Sequence, residues 1–126
     1  MIKGTGIDII KIERIKKILS STRRERFCKK IFGPDELAYA TGKKYEHEHL
    51  AGFFAIKESF MKALGEGWRR ELRFSDILVN HDKKGKPYLE LKGKALELLK
   101  KTESSKIHIS ISHEKEYAIG LVIIEI

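Results

Sequence analysis

From Glu48 to Leu64 the apolar residues Leu50, Phe53, Phe54, Met61 and Leu64 recur at spacings of three and four. That pattern predicts one face of a long α-helix. Glu58 lies four residues after Phe54 and three before Met61, so it projects from the same face. Burying a bare carboxylate costs on the order of several kcal/mol unless something neutralises it. Lys62, one turn further on, offers an internal ion pair at i, i+4, and a bound metal ion is the other candidate. Either way the chain must wrap apolar cover around a helix that carries a charge.

The flanking segments are short. Ile2 to Ile10 reads as a strand whose two glycines, Gly4 and Gly6, let backbone approach closely. Ile12, Ile15, Ile18 and Leu19 mark a first helix with Lys11, Arg14 and Lys17 on its outer face. Thr22-x-x-Glu25 has the spacing of a capping box for a second helix running through Cys28. Gly33-Pro34-Asp35-Glu36 then breaks that helix, and a third starts at Leu37. Thr41 to Tyr45 reads as loop, and the long helix ends at Gly65 or Gly67. Trp68 to Arg73 reads as a mobile connection. Ile77 to Asn80 and Tyr88 to Leu91 are strands joined through Asp82-Lys83-Lys84-Gly85-Lys86-Pro87, Gly93 to Lys101 is a short helix, and Ile107 to Ser112 and Tyr117 to Ile126 close the chain as two strands. Helices and strands do not alternate strictly. The expectation is therefore an α+β fold, a mainly antiparallel sheet packed on one long helix plus shorter helices, in a single domain spanning residues 1–126.

Charge is unevenly placed. The formal net charge is +8, and residues 11–30 hold nine Lys or Arg against Glu13 and Glu25. The positive field is thus local and suits an acidic partner. A basic nucleic-acid-binding module would use the same charge, but Phe27 is the one aromatic within the patch and no RNA-recognition or zinc signature accompanies it. The lone Cys28 fits a reducing, cytoplasmic setting and reads as a small buried residue. Lys3, Asp8 and Lys11 interrupt every early apolar run, and Leu121 to Ile124 is far too short to span a membrane.

Two further patterns carry chemistry. Asp8 sits inside Ile7-Asp8-Ile9-Ile10, where a carboxylate is out of place unless it caps, pairs or binds something. Alternation puts it on the side opposite Ile7 and Ile9, the solvent side if those isoleucines are core. With Glu58 it forms a pair of stranded carboxylates, a donor set that suits a hard cation such as Mg²⁺ when phosphate oxygens complete the shell. In Ile107 to Ser112 the isoleucines alternate with His108, Ser110 and Ser112, a row of small hydrogen-bonding groups that suits phosphate or simply a polar solvent face.

Phe54-x-x-Lys57-Glu58-Ser59-x-x-Lys62-x-x-Gly65-x-Gly67 resembles the signature of phosphopantetheinyl transferases. Gly4-x-Gly6-Ile7-Asp8 resembles the family's first motif, and His108 to His113 followed by Tyr117-Ala118 resembles its last. The three stand in the family's order across almost the whole chain.

The resemblance implies transfer of 4′-phosphopantetheine from coenzyme A, as substrate, to a serine of an acidic acyl carrier protein, with Mg²⁺ held by Asp8 and Glu58. Lys62 would face the reacting phosphate. Glu58, or a water oriented by Asp35, would take the serine proton. Lys44, Gly65, the Gly85-Lys86-Pro87 turn, His108, Ser110 and Ser112 would contact coenzyme A. Arg14, Arg23 and Arg24 would dock the carrier. Ile10 stands where the larger branch of the family has a second acid, which fits the short, homotrimeric branch with active sites between subunits. Tyr45 and Phe53 stand where arginines for the cofactor's 3′-phosphate are expected.

Overall fold

The computed structural model describes residues 1–65, 71–104 and 106–126. The long helix, α4, spans Glu46–Leu64 and stops where Gly65 takes φ 74°, a left-handed conformation that glycine adopts without strain. Gly67, the alternative end, and residues 68–70 of the expected connection lie outside the described residues; Leu72, just beyond, is core. α4 is buried on nearly every side, including Ala51, Ala55, Ile56, Phe60 and Ala63, so its pattern is less one-faced than the leucine and phenylalanine spacing suggests.

Cover comes from a three-stranded antiparallel sheet in the order β1-β5-β4: β1 is Ile2–Lys11, β4 Lys106–His113 and β5 Tyr117–Glu125. Asp8 pairs in register with Gly120, and Ile111 meets Gly120 from the other side. Three short helices follow β1: α1 at Ile12–Leu19, α2 at Arg24–Ile31 and α3 at Pro34–Thr41. A 3₁₀ turn at Phe74–Asp76 leads into the hairpin of β2, Ile77–His81, and β3, Pro87–Leu91; α5 is Gly93–Lys101. All strand pairing is antiparallel, as the α+β expectation has it.

Two helix starts differ from the sequence reading. Thr22 does not cap α2; instead the Ser21 hydroxyl accepts from Arg23 N at 3.1 Å and donates to Ile18 O at 2.7 Å, forming the turn that ends α1. Gly33-Pro34-Asp35-Glu36 does not precede α3 but is its first turn. Proline suits that position because its missing N–H is unneeded there, and the Glu36 carboxylate reaches back to accept from Gly33 N at 2.9 Å.

Candidate active site

The approach of β1 to α4 is set by glycine. A Cβ on Gly6 would lie 1.8 Å from Ser59 O, and one on Gly4 1.9 Å from Ala63 O, so only a residue without a side chain allows this contact. Ser59 Oγ bridges the other seam, 2.8 Å from Gly120 O on β5 and 2.7 Å from Ala55 O. With Gly4 and Gly6 turned inward, Asp8 on the same side of the strand also faces α4 and is partly buried. Ile7 and Ile9 point outward and are 62% and 59% exposed. The alternation is as read, but its polarity is reversed: Asp8 is on the packed side and the isoleucines are on the open one.

Glu58 faces this seam. Along α4 it belongs with Phe54 and Lys62 to the least buried stripe, not to the fully buried one. Burial raises the Glu58 carboxyl pKa, and the negative charge of Asp8 raises it further; Lys62 and Arg14 pull the other way. Lys62 is not primarily the ion-pair partner of Glu58. Its ammonium donates to Asp8 Oδ1 at 3.0 Å and to Ile7 O at 2.9 Å, tying helix to strand. Two carboxylates therefore converge from β1 and α4 beside one lysine, a concentration of negative charge that a cation would relieve. Among the described residues no set of three His, Cys, Asp or Glu stands at metal-binding spacing. A two-carboxylate donor set fits Mg²⁺, which keeps several waters and takes other ligands from phosphate.

Lys57, beside Glu58, is fully buried. Its ammonium donates to Glu36 Oε1 at 2.8 Å, Phe74 O at 2.9 Å and Ile77 O at 2.6 Å. Glu36 Oε2 accepts from Val79 N at 2.8 Å. Lys57 is thus one half of a buried ion pair, and its partner Glu36 was not among the residues singled out from the sequence. The Gly33-to-Glu36 capping-box spacing was the available signal. Asp35, next to Glu36, is exposed and lines a hollow of about 270 Å³ with Leu78, Asn80, Glu90 and Lys92, whose walls come from β2 and β3 and not from the Asp8–Glu58 seam.

The expected cofactor residues partly gather. Gly85, at φ 86°, sits in a turn organised by Asp82, whose Oδ1 accepts from Lys84 N at 2.8 Å and Lys86 N at 2.9 Å. Asp82 was also missed, although Asp ahead of a glycine turn is a recurrent arrangement. Lys86 and Pro87 share a hollow of about 230 Å³ with Tyr88 and His108. His108 Nε2 lies 2.9 Å from Glu125 Oε1, a pairing with no local sequence signal. Ser110 and Ser112 follow His108 on the exposed side of β4. Gly65 caps α4, and Lys44 is exposed with its ammonium 5.4 Å from the Tyr45 ring centroid. Phe53 is 2% exposed and packs near Tyr39 and His81, so that position serves the core.

Arg14, Arg23 and Arg24 are exposed, and Arg24 pairs with Glu46 at 2.7 Å. A hollow of about 850 Å³ between α2 and α3 lies beside this basic segment and shares no wall with the acid pair. Among the described residues no helix is long and apolar enough to cross a membrane.

The family model described as 4′-phosphopantetheinyl transferase superfamily matches residues 4–122. The holo-[acyl-carrier-protein] synthase of Halothermothrix orenii is 46% identical over 123 residues, covering 98% of this chain and 97% of that protein. The one from Clostridium tetani is 48% identical, covering 99% and 97%. Among solved structures, a Bacillus anthracis holo-(acyl-carrier-protein) synthase in complex with CoA (3′,5′-ADP) superposes with a TM-score of 0.80 at 38% identity, covering 99% of this chain and 97% of that one. The Neisseria meningitidis enzyme superposes with a TM-score of 0.87 at 33% identity, with 99% of each chain covered.

Proposed function

Because the chain belongs to the 4′-phosphopantetheinyl transferase superfamily, we propose that it moves 4′-phosphopantetheine from coenzyme A to a serine hydroxyl of an acyl carrier protein. Relatives named for that reaction align over nearly the full chain, which supports the substrate assignment. The observation that carries the site is the meeting of Asp8 and Glu58 beside Lys62 across the β1–α4 seam.

In this reading the carrier's serine oxygen attacks the β-phosphorus of coenzyme A. The bond from that phosphorus to the bridging oxygen breaks, and adenosine 3′,5′-bisphosphate leaves with the electron pair. Positioning and electrostatics do most of the work in such a displacement. Asp8 and Glu58 are the residues to hold Mg²⁺, which when bound would neutralise charge on the pyrophosphate. Lys62 stands beside Asp8 to donate to a phosphoryl oxygen as charge builds. Of the two groups expected to take the serine proton, Glu58 stands at this seam, whereas Asp35 opens into a different hollow. Lys44, Gly65, Gly85, Lys86, Pro87, His108, Ser110 and Ser112 are the residues to contact coenzyme A, of which Lys86, Pro87 and His108 share one hollow, and Arg14, Arg23 and Arg24 are those to meet the acidic carrier.

The reading extends to assembly and setting. The outer face of the three-stranded sheet carries Ile7, Ile9 and Ile119, the last 37% exposed. His108, Ser110 and Ser112 share that face. An apolar face of this kind supports a homotrimer in which the histidine and serines of one copy serve a neighbour's site. The lone buried Cys28 agrees with a cytoplasmic location. Residues 1–126 act as one domain.

Incubation with coenzyme A, Mg²⁺ and apo carrier protein, read by intact mass, tests the reaction. The expected result is a carrier heavier by one phosphopantetheine, with no gain when Mg²⁺ is chelated. No gain on any of several carriers would overturn the assignment.

A further inference from the structure

Lys62 occupies the carboxylate that a divalent ion needs. Its ammonium donates to Asp8 Oδ1 at 3.0 Å and to Ile7 O at 2.9 Å, which uses two of its three N–H groups. The lysine side chain is 52% exposed and the aspartate 19%. A solvated, flexible cation thus reaches in to a carboxylate held in the seam. The two acceptors differ in kind. Ile7 O belongs to β1, which is fixed by its pairing with β5 and by the close fit of Gly4 and Gly6 on α4. That carbonyl keeps its place whatever binds the carboxylate beside it. Asp8 instead faces Glu58, and the two negative charges act against each other. A divalent ion seated between them repels an ammonium on the same carboxylate, strongly so in a partly buried place. Lys62, on a four-carbon stem with rotatable donors, is the partner able to leave.

We propose that Lys62 and a divalent cation exchange at Asp8: the ammonium is the carboxylate's built-in counter-ion, and seating the ion moves it off Asp8 while Ile7 O keeps it in the seam. This rests on the reading of Asp8 and Glu58 as the Mg²⁺ ligands. Because the ion must displace a cation, the chain alone holds it weakly. The displaced ammonium, still tethered at Ile7 O, has donors free for an anionic phosphoryl oxygen. An anionic substrate that draws Lys62 away from Asp8 helps the ion in. By linkage the ion helps the substrate to the same degree, so one side chain couples the two.

Limited acetylation of the full chain, mapped by peptide mass with and without Mg²⁺, reads the position of Lys62; Lys3, exposed on β1, is the reference. Mg²⁺ is expected to raise Lys62 labelling several-fold relative to Lys3. In Asp8→Asn, which removes the contested charge, Lys62 should label at the raised level with or without the ion. Mn²⁺, which carboxylates bind as they bind Mg²⁺, gives the affinity in the absence of coenzyme A, read from the paramagnetic resonance of the free ion. Lys62→Met is expected to bind Mn²⁺ about tenfold more tightly than wild type, the worth of one charged hydrogen bond. Arg14→Gln removes a charge exposed on α1 and should change the affinity by less than about twofold. If Mn²⁺ binds wild type but Mg²⁺ leaves Lys62 labelling unchanged, or if Lys62→Met and Arg14→Gln shift the affinity equally, the exchange is overturned and the metal site stands. If Mn²⁺ binds neither wild type nor Lys62→Met, the metal reading fails and the inference fails with it.

Discussion

Lys57 Nζ lies 2.8 Å from Glu36 Oε1, with the two side chains 0% and 1% exposed, and this buried pair joins α4 to the first turn of α3 across 21 residues of sequence. Burial lowers the lysine's pKa, opposed by Glu36 and Asp76, but every polar atom is matched: no buried side-chain nitrogen or oxygen among the described residues lacks a partner. The pair also binds the Phe74 and Ile77 carbonyls, so it sets where the β2–β3 hairpin meets α4.

Lys57→Met is therefore expected to cost about 3–5 kcal/mol, because it leaves the Glu36 carboxylate buried without its cation. Adding Glu36→Gln should recover only part of that loss. Glutamine has one acceptor oxygen for the two backbone N–H groups, of Gly33 and Val79, that the carboxylate now serves. Urea unfolding of the single and double variants checks the order; equal stability of Lys57→Met and wild type would remove the pair as a structural tie.

Glu58→Gln separates function from stability. Its folded pKa is raised, so the folded state holds the proton more tightly than the unfolded chain does, and the charged carboxyl destabilises the fold once pH rises above its ordinary value of 4.5. The variant is expected to melt roughly 2–4 °C higher than wild type near neutral pH in the absence of metal. The gap should close at acid pH. Transfer, in contrast, is expected to fall by about a hundredfold or more in both Glu58→Gln and Asp8→Ala. Melting curves across pH, with turnover measured over a Mg²⁺ titration, test both halves.

Lys62 and His108 are expected to fail differently. Lys62→Ala removes the ammonium beside Asp8 and should lower kcat more than it raises KM for coenzyme A. His108→Ala acts in the Lys86–Pro87 hollow and should chiefly raise KM. Steady-state kinetics with saturating carrier decide it, and the reverse pattern would exchange the two roles.

Arg14→Glu and Arg23→Glu should each raise KM for carrier protein several-fold, with wild-type turnover at limiting carrier falling as salt is added. Arg24→Glu should do the same and also loosen α2 from α4, because it would set a glutamate against Glu46 in place of the ion pair. Carrier kinetics at two salt concentrations, with melting curves for Arg24→Glu, separate docking from stability.

Much of the site was legible before any coordinates. The spacing within Phe54 to Gly65, the stranded Asp8 and the His108-Ser110-Ser112 alternation each singled out residues by local chemistry, and the structure brings Asp8, Glu58 and Lys62 together. The Gly33–Glu36 and Asp82 turn contacts follow spacing rules that local inspection could have applied, but the Glu36–Lys57 pair, 21 residues apart, does not. Glu125 could not have been tied to His108, because nothing local links residues 17 positions apart on different strands.

By itself the sequence determined the elements and their periods: a long helix, two-faced strands, and glycines at Gly4 and Gly6 where backbone can come close. Only the tertiary structure decided which face of β1 is inside. Hydrophobicity alone would bury Ile7 and Ile9, yet those are the exposed ones. A helix can press against a strand this closely only over residues without side chains, so the glycine face turns toward α4 and carries Asp8 with it to Glu58. Which of two alternating faces is buried depends on what packs against it, and that is a property of the partner element rather than of the strand.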